Sequence, residues 1–107
     1  NNLTYQKKAF YAADAGVINS KVILEENKGV PLKKENGNPY ITGDIYQEKG
    51  IYGNSKFIIK FFLVEEEPKR YIVEVQGIYK QNICRIDVGY NEQFQLEKYK
   101  IIEERSL

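Results

Sequence analysis

Few residues in this chain could do chemistry, and they lie far apart. One cysteine, Cys84, sits in the run NICRIDV. A nucleophilic thiol needs a neighbouring base to hold it as thiolate, and the chain contains 0 His. Histidine is also the commonest metal ligand, so acid–base and metal chemistry both lack their usual participant. Cys84 therefore reads as a small buried hydrophobe on a strand, with an intermolecular disulfide as the residual alternative, because one thiol cannot close a bridge within the chain. Glu65-Glu66-Glu67 stands before Pro68 and could collect a Ca²⁺ as carboxylates in a turn. It reads better as a solvated hairpin tip that gatekeeps the apolar strand before it. Gly43, Gly50 and Gly53 form no phosphate-binding pattern and read as turn residues. Asn2-Leu3-Thr4 matches the short N-x-T acceptor pattern. An enzyme is the least expected class, with no catalytic residue, metal site or cofactor to name.

The charge balance narrows the partners. The 16 basic and 15 acidic residues leave a net charge of +1, and the doublets Lys7-Lys8, Lys33-Lys34 and Lys69-Arg70 are separate surface features. A nucleic-acid module concentrates basic charge on one face, so no nucleic acid is expected. At 107 residues the chain is one domain. It has no 18-residue apolar run and no signal-peptide pattern. It starts with Asn1-Asn2 and contains 0 Met, which reads as a processed or truncated fragment from which a membrane segment has been removed.

A chain poor in chemistry must act through its surfaces, and the elements that present them are legible. Residues 3–27 hold no proline and one glycine, Gly16, and Gly29 with Pro31 beyond it marks a C-terminal stop. This is one long helix with two apolar faces at 100° per residue. Ala9, Phe10, Ala12, Ala13, Gly16, Val17, Ile23 and Leu24 form a broad arc. Tyr11, Ala15, Ile18 and Val22, spaced 4-3-4, form a narrower stripe opposite. Asp14 lies with Lys7, Lys21 and Glu25 on one flank between them. A helix on one sheet needs only one apolar face, so the stripe calls for a second partner. Ala9/Ala13 and Ala12/Gly16 are small-xxx-small pairs that let a neighbouring backbone come close, and that neighbour is either the domain's own sheet or another helix.

Residues 28–39 read as a loop. Beyond it the period becomes two, with strands expected at 40–46 (a short edge), 56–64 (central), 70–79, 82–90 and, most weakly, 94–102. The connections are short, which favours antiparallel neighbours. The expected fold is α+β: a single domain over 1–107, with an N-terminal helix (1–27), a loop (28–39) and a four- to five-stranded antiparallel β-meander head (40–107).

Two stretches also carry a resemblance. QKKAFYAADAGVINSKVIL resembles the segment that follows the membrane-spanning part of the N-terminal helix in type IV pilins. It is most similar to minor pilins with the pattern A-[FY]-x-A-[ED]-[AS]-G and then an aliphatic residue, matched with one residue's offset by Ala9 to Val17. VEVQGIYKQNICRIDVGY resembles the glycine-bearing strand of these proteins turning into an Arg-containing strand. Together the two stretches cover about a third of the chain. The resemblance implies a leader removed by a prepilin peptidase and a hydrophobic N-terminal half-helix that anchors the subunit in the membrane. That half-helix later packs in the core of a filament, with the head facing outward. None of those segments is in this sequence, nor is the acidic residue near the mature N-terminus that family members use in assembly. The paired cysteines of many relatives are absent too, which fits subunits from Gram-positive or anaerobic bacteria better.

The resulting expectation is a structural subunit, minor pilin or pseudopilin, of an extracellular filament on a bacterial cell surface. Its partners would be other pilin subunits, and its roles adhesion or filament assembly. Tyr11, Asp14, Ala15, Ile18 and Val22 are the expected interface, and Ala9, Ala12, Ala13 and Gly16 the close-packing residues. Two alternatives stand beside it. One is a module holding a small ligand between helix and curved sheet, which needs a sizeable internal pocket. The other is a DNA-capturing competence-type pilin, which needs basic residues clustered on the head.

Overall fold

The computed structural model describes residues 2–30, 36–39, 41–64 and 67–106. Helix α1 spans Asn2–Asn27 and is followed by strands β1 Ile45–Tyr52, β2 Ser55–Phe62, β3 Tyr71–Tyr79, β4 Asn82–Tyr90 and β5 Leu96–Ser106. The strands form one antiparallel meander in the order β1-β2-β3-β4-β5. The class is α+β, one helix packed on a five-stranded sheet.

The helix ends where the sequence stops supporting it. Lys28 takes a φ of 53° and Gly29 one of 133°, and the Gly29 N–H donates to the Leu24 carbonyl at 2.8 Å. This left-handed exit satisfies a carbonyl that the helix itself leaves unpaired. The Asn27 amide covers the Ile23 carbonyl at 2.8 Å.

The strict alternation of β3 and β4 sorts their side chains between two faces. Phe57, Ile59 and Phe61 of β2, Val73 and Val75 of β3, and Cys84, Ile86, Val88 and Tyr90 of β4 all point to the helix and are buried. Full burial of a side chain the size of Ile or Phe stabilises by about 1.5–3 kcal/mol, so this shared face is the main source of cohesion. α1 lies over β2, β3 and β4 and only brushes β1 and β5.

Gly77 of β3 fixes how close the helix comes. A Cβ there would overlap the Ala9 carbonyl oxygen and the Ala13 nitrogen. Ala9, Ala12 and Ala13 are at most 1% exposed, and a Cβ on Gly16 would press on Val75 at 2.5 Å and on the Phe57 ring at 3.1 Å. Small residues on the helix meet a missing side chain on the sheet, and backbone rests on backbone. One buried polar cluster fixes the register along the axis. The Tyr90 hydroxyl donates to the Val17 carbonyl at 3.0 Å, and the Ser20 hydroxyl lies 2.6 Å from the same oxygen and 2.8 Å from the Tyr90 oxygen.

Three expectations need correction. The first strand is not at 40–46 but at Ile45–Tyr52. Its IYQEKGIY sequence is polar because β1 is an edge with both faces largely open, which hides the alternation. Gly50 is a strand residue and not a turn residue: it pairs with Phe57 and leaves room for that ring, which a Cβ would strike. Gly53, with φ 60°, does make the two-residue β1–β2 turn with Asn54. The last strand begins at Leu96 and not at 94, because Phe94 has a φ of 61° and packs its ring on Tyr71 at 5.4 Å. The 28–39 loop reading falls partly, and the Glu65-Glu66-Glu67 reading mostly, outside the described residues.

Candidate functional site

The helix separates its two apolar faces sharply. Opposite the packed arc, Ile18 is 63%, Tyr11 52% and Val22 43% exposed. Ala15 sits at the margin of this stripe, partly buried against the core. Phe10, placed in the broad arc, is only half-buried, and its ring leans on Tyr11 at 5.8 Å between centroids. Among the described residues, no other element covers Tyr11, Ile18 or Val22. Three large apolar side chains, with Ala15 on the turn between Tyr11 and Ile18, thus form a ridge along the outside of the domain.

Asp14 borders that ridge. It is half-buried and accepts a hydrogen bond from the Tyr99 hydroxyl of β5 at 2.9 Å. Burial, then the Asp14 hydrogen bond and charge, push the Tyr99 phenol well above its ordinary range. This contact joins the flank of the helix to an edge strand that the helix otherwise barely touches. Arg85 lies on the far side of the sheet from Asp14. Its neighbours Cys84 and Ile86 face the helix, so the two-residue period sends Arg85 outward. There its Nε lies 2.7 Å from Glu74 and 3.1 Å from Asp87, and its Nη2 bonds Asp87 at 3.2 Å. Lys60 adds a longer contact to Glu74 at 3.8 Å. Glu74 and Asp87 face each other across β3 and β4, and Arg85 relieves their repulsion. The sequence signal for this was the alternation of NICRIDV itself.

Cys84 is 1% exposed, and burial, with a smaller contribution from Glu104, pushes its thiol up to about 12. A thiol held protonated this far above neutrality is a packing residue. The described residues contain no group of three or more acids, Cys or His positioned to hold a metal ion. Two clefts of about 210 Å³ are present. One lies beyond the C-terminal end of the helix, against Val30, Ile41, Leu63 and Tyr71, and the other lies by Ile72, Gly89 and Lys98. Neither is between helix and sheet, where the Gly77 contact leaves no space. No helix of the described residues is long and apolar enough to cross a membrane.

Comparison of the chain with protein-family models, with curated proteins and with solved structures found no match.

Proposed function

We propose that this chain is a pilin-like structural subunit that assembles into a filament or tip complex through the outward ridge of α1. The observation that carries this reading is the ridge itself. Tyr11, Ile18 and Val22 recur at helical spacing on the face turned away from the sheet, where a helix serving only its own domain would carry polar residues. A neighbouring helix is the partner whose periodicity matches such a ridge. Ala15 on the same face leaves a small step between Tyr11 and Ile18 into which a facing side chain fits. Asp14, tied to Tyr99, holds the polar border of that contact. Subunits of this kind act at the bacterial surface, anchored before assembly by an apolar segment, and about 20 apolar residues immediately upstream of Asn1 are part of the same reading.

The test separates assembly from folding. Ile18→Glu should abolish incorporation into pili in cells while leaving the melting temperature of the isolated domain essentially unchanged. Normal incorporation of the variant would overturn the proposal.

A further inference from the structure

The two ends of the molecule differ in charge, although the chain as a whole is near neutral. Ile51, Lys56, Ile78, Ile83 and Arg105 are Cα partners in one row across all five strands. The β1–β2 turn, the β3–β4 turn and the end of β5 lie at or beyond this row. The start of α1 is at the same end: the Tyr5 ring packs on Tyr79 at 5.3 Å, and Lys80 Nζ sits 4.6 Å over the Tyr5 ring. Lys7, Lys8, Lys49, Lys56, Lys80 and Arg105 are all exposed here. The acids of this pole are Glu103 and Glu104, and Glu103 pairs with Arg105 at 2.5 Å. Arg85 stands apart, held by Glu74 and Asp87. At the opposite pole the described residues reverse the balance slightly, with Glu25, Glu26, Asp44, Glu67, Glu92 and Glu97 against Lys21, Lys28, Lys69, Arg70 and Lys98.

Both poles expose apolar groups, Ile41, Ile45 and Leu96 among them at the acidic one, but only at the basic pole do they stand among cations in excess. Ile51 at the hairpin tip is 77% exposed, Tyr52 beside it 53%, and Leu3 on the first helical turn 63%. Cations spread over several elements, with isoleucine, tyrosine and leucine between them, match a surface that is negative outside and apolar beneath. An anionic bilayer takes up both kinds of group: acidic headgroups attract lysines, and the interface accepts tyrosine and aliphatic side chains. A phosphodiester polymer would satisfy the cations but offer Ile51 and Leu3 nothing. We infer that this pole, formed by the start of α1, the β1–β2 and β3–β4 turns and the end of β5, docks on an anionic phospholipid membrane. The inference stands on the row geometry, the charge and the exposed apolar groups of this pole, and does not depend on the assembly reading.

Co-sedimentation with unilamellar vesicles at low salt tests it, using phosphatidylglycerol-containing vesicles against pure phosphatidylcholine. Binding should be at least about tenfold stronger to the anionic vesicles and should fade as salt shortens the Debye length toward about 8 Å. Lys49→Glu with Lys56→Glu should weaken it about tenfold or more, and Ile51→Ser with Tyr52→Ser should lower it about fivefold. Arg70→Glu with Lys98→Glu, at the other pole, should stay within about twofold of the parent. Circular dichroism establishes that each variant is folded. Ile18→Glu should bind vesicles normally, so this inference and the assembly reading fail separately. No preference for anionic vesicles, or an equal loss in the opposite-pole variant, would overturn the inference. So would full displacement from the vesicles by duplex DNA at equal phosphate concentration, which would assign the pole to nucleic acid.

Discussion

The inner and outer faces of α1 are both apolar, yet they are built from different residues and only the inner one is covered. The inner face is made of Ala9, Ala12, Ala13 and Gly16, and it meets a strand from which a side chain has been deleted at Gly77. Contact there is set by backbone, and added volume has nowhere to go. The outer face is made of Tyr11, Ile18 and Val22, which project from the helix and are covered by no other element of the described residues. Small residues mark a contact completed inside the domain, and the large exposed ones form the face on which the proposed assembly rests. Small-xxx-small spacing alone does not separate the two cases, because it indicates only that some backbone comes close.

This contrast can be broken most severely at Gly77. Gly77→Val should cost more than about 3 kcal/mol, since it overpacks a contact with backbone, which cannot rotate away as a side chain can. Chemical denaturation would measure this, and a loss below about 1 kcal/mol would mean that the helix can lift from the sheet at little cost. Tyr90→Phe should cost about 1–2 kcal/mol, because the Val17 carbonyl and the Ser20 hydroxyl lose a buried partner. The same method should place Tyr99→Phe at no more than about 0.5–1 kcal/mol, because Asp14 is only half-buried and water replaces the lost bond. Ile18→Ser and Val22→Ser, on the outer face, should fall within about ±0.5 kcal/mol of the parent. A cost for Ile18→Ser as large as that for Tyr90→Phe would erase the distinction between the faces.

Alkaline pH probes the inner face together with the Tyr99 phenol at its flank, which burial and then Asp14 also raise. Burial raises the Cys84 thiol from 9.0 to about 12 and raises the Tyr90 phenol as well. Folded-state values above the unfolded ones favour the protonated forms. Their contribution to stability is therefore complete below about pH 9 and is lost as pH rises toward 12. Denaturation midpoints at pH 7, 9 and 11 should show a plateau and then a fall, and Cys84→Ala should reduce the fall.

Much of this architecture was legible in the sequence because the relevant signals are periodic. The helix bounds followed from the absence of breakers between residue 3 and Gly29, β2 from its nearly continuous apolar run, and β3 and β4 from alternation that the core enforces. The errors fell on the edge strands, where burial does not discipline the pattern. IYQEKGIY of β1 carries charges on a strand open on both faces, and β5 is nearly all exposed, with register shifts at Arg85/Ile86 and Gly89/Tyr90. The two-residue Gly53-Asn54 turn was the overlooked signal for β1. The outer ridge was visible at its 4-3-4 spacing. Whether the broad arc or the stripe would meet the sheet was not, because that depends on Gly77, 64 and 68 positions downstream of Ala13 and Ala9, which it faces. The Asp14–Tyr99 bond was equally hidden, since it joins residues 85 positions apart. The basic pole was invisible in a well-mixed charge pattern because it gathers single lysines from separate hairpins and the first turns of the helix.

The central claim is that the outer ridge of α1 serves assembly and contributes nothing to the fold. Ile18→Glu tests it most directly when pilus incorporation and thermal unfolding of the domain are measured side by side. The account predicts loss of incorporation with a melting temperature within about 2 °C of the parent, the shift expected for a few tenths of a kcal/mol in a domain this size. A variant that still incorporates, or a domain that unfolds, would contradict it.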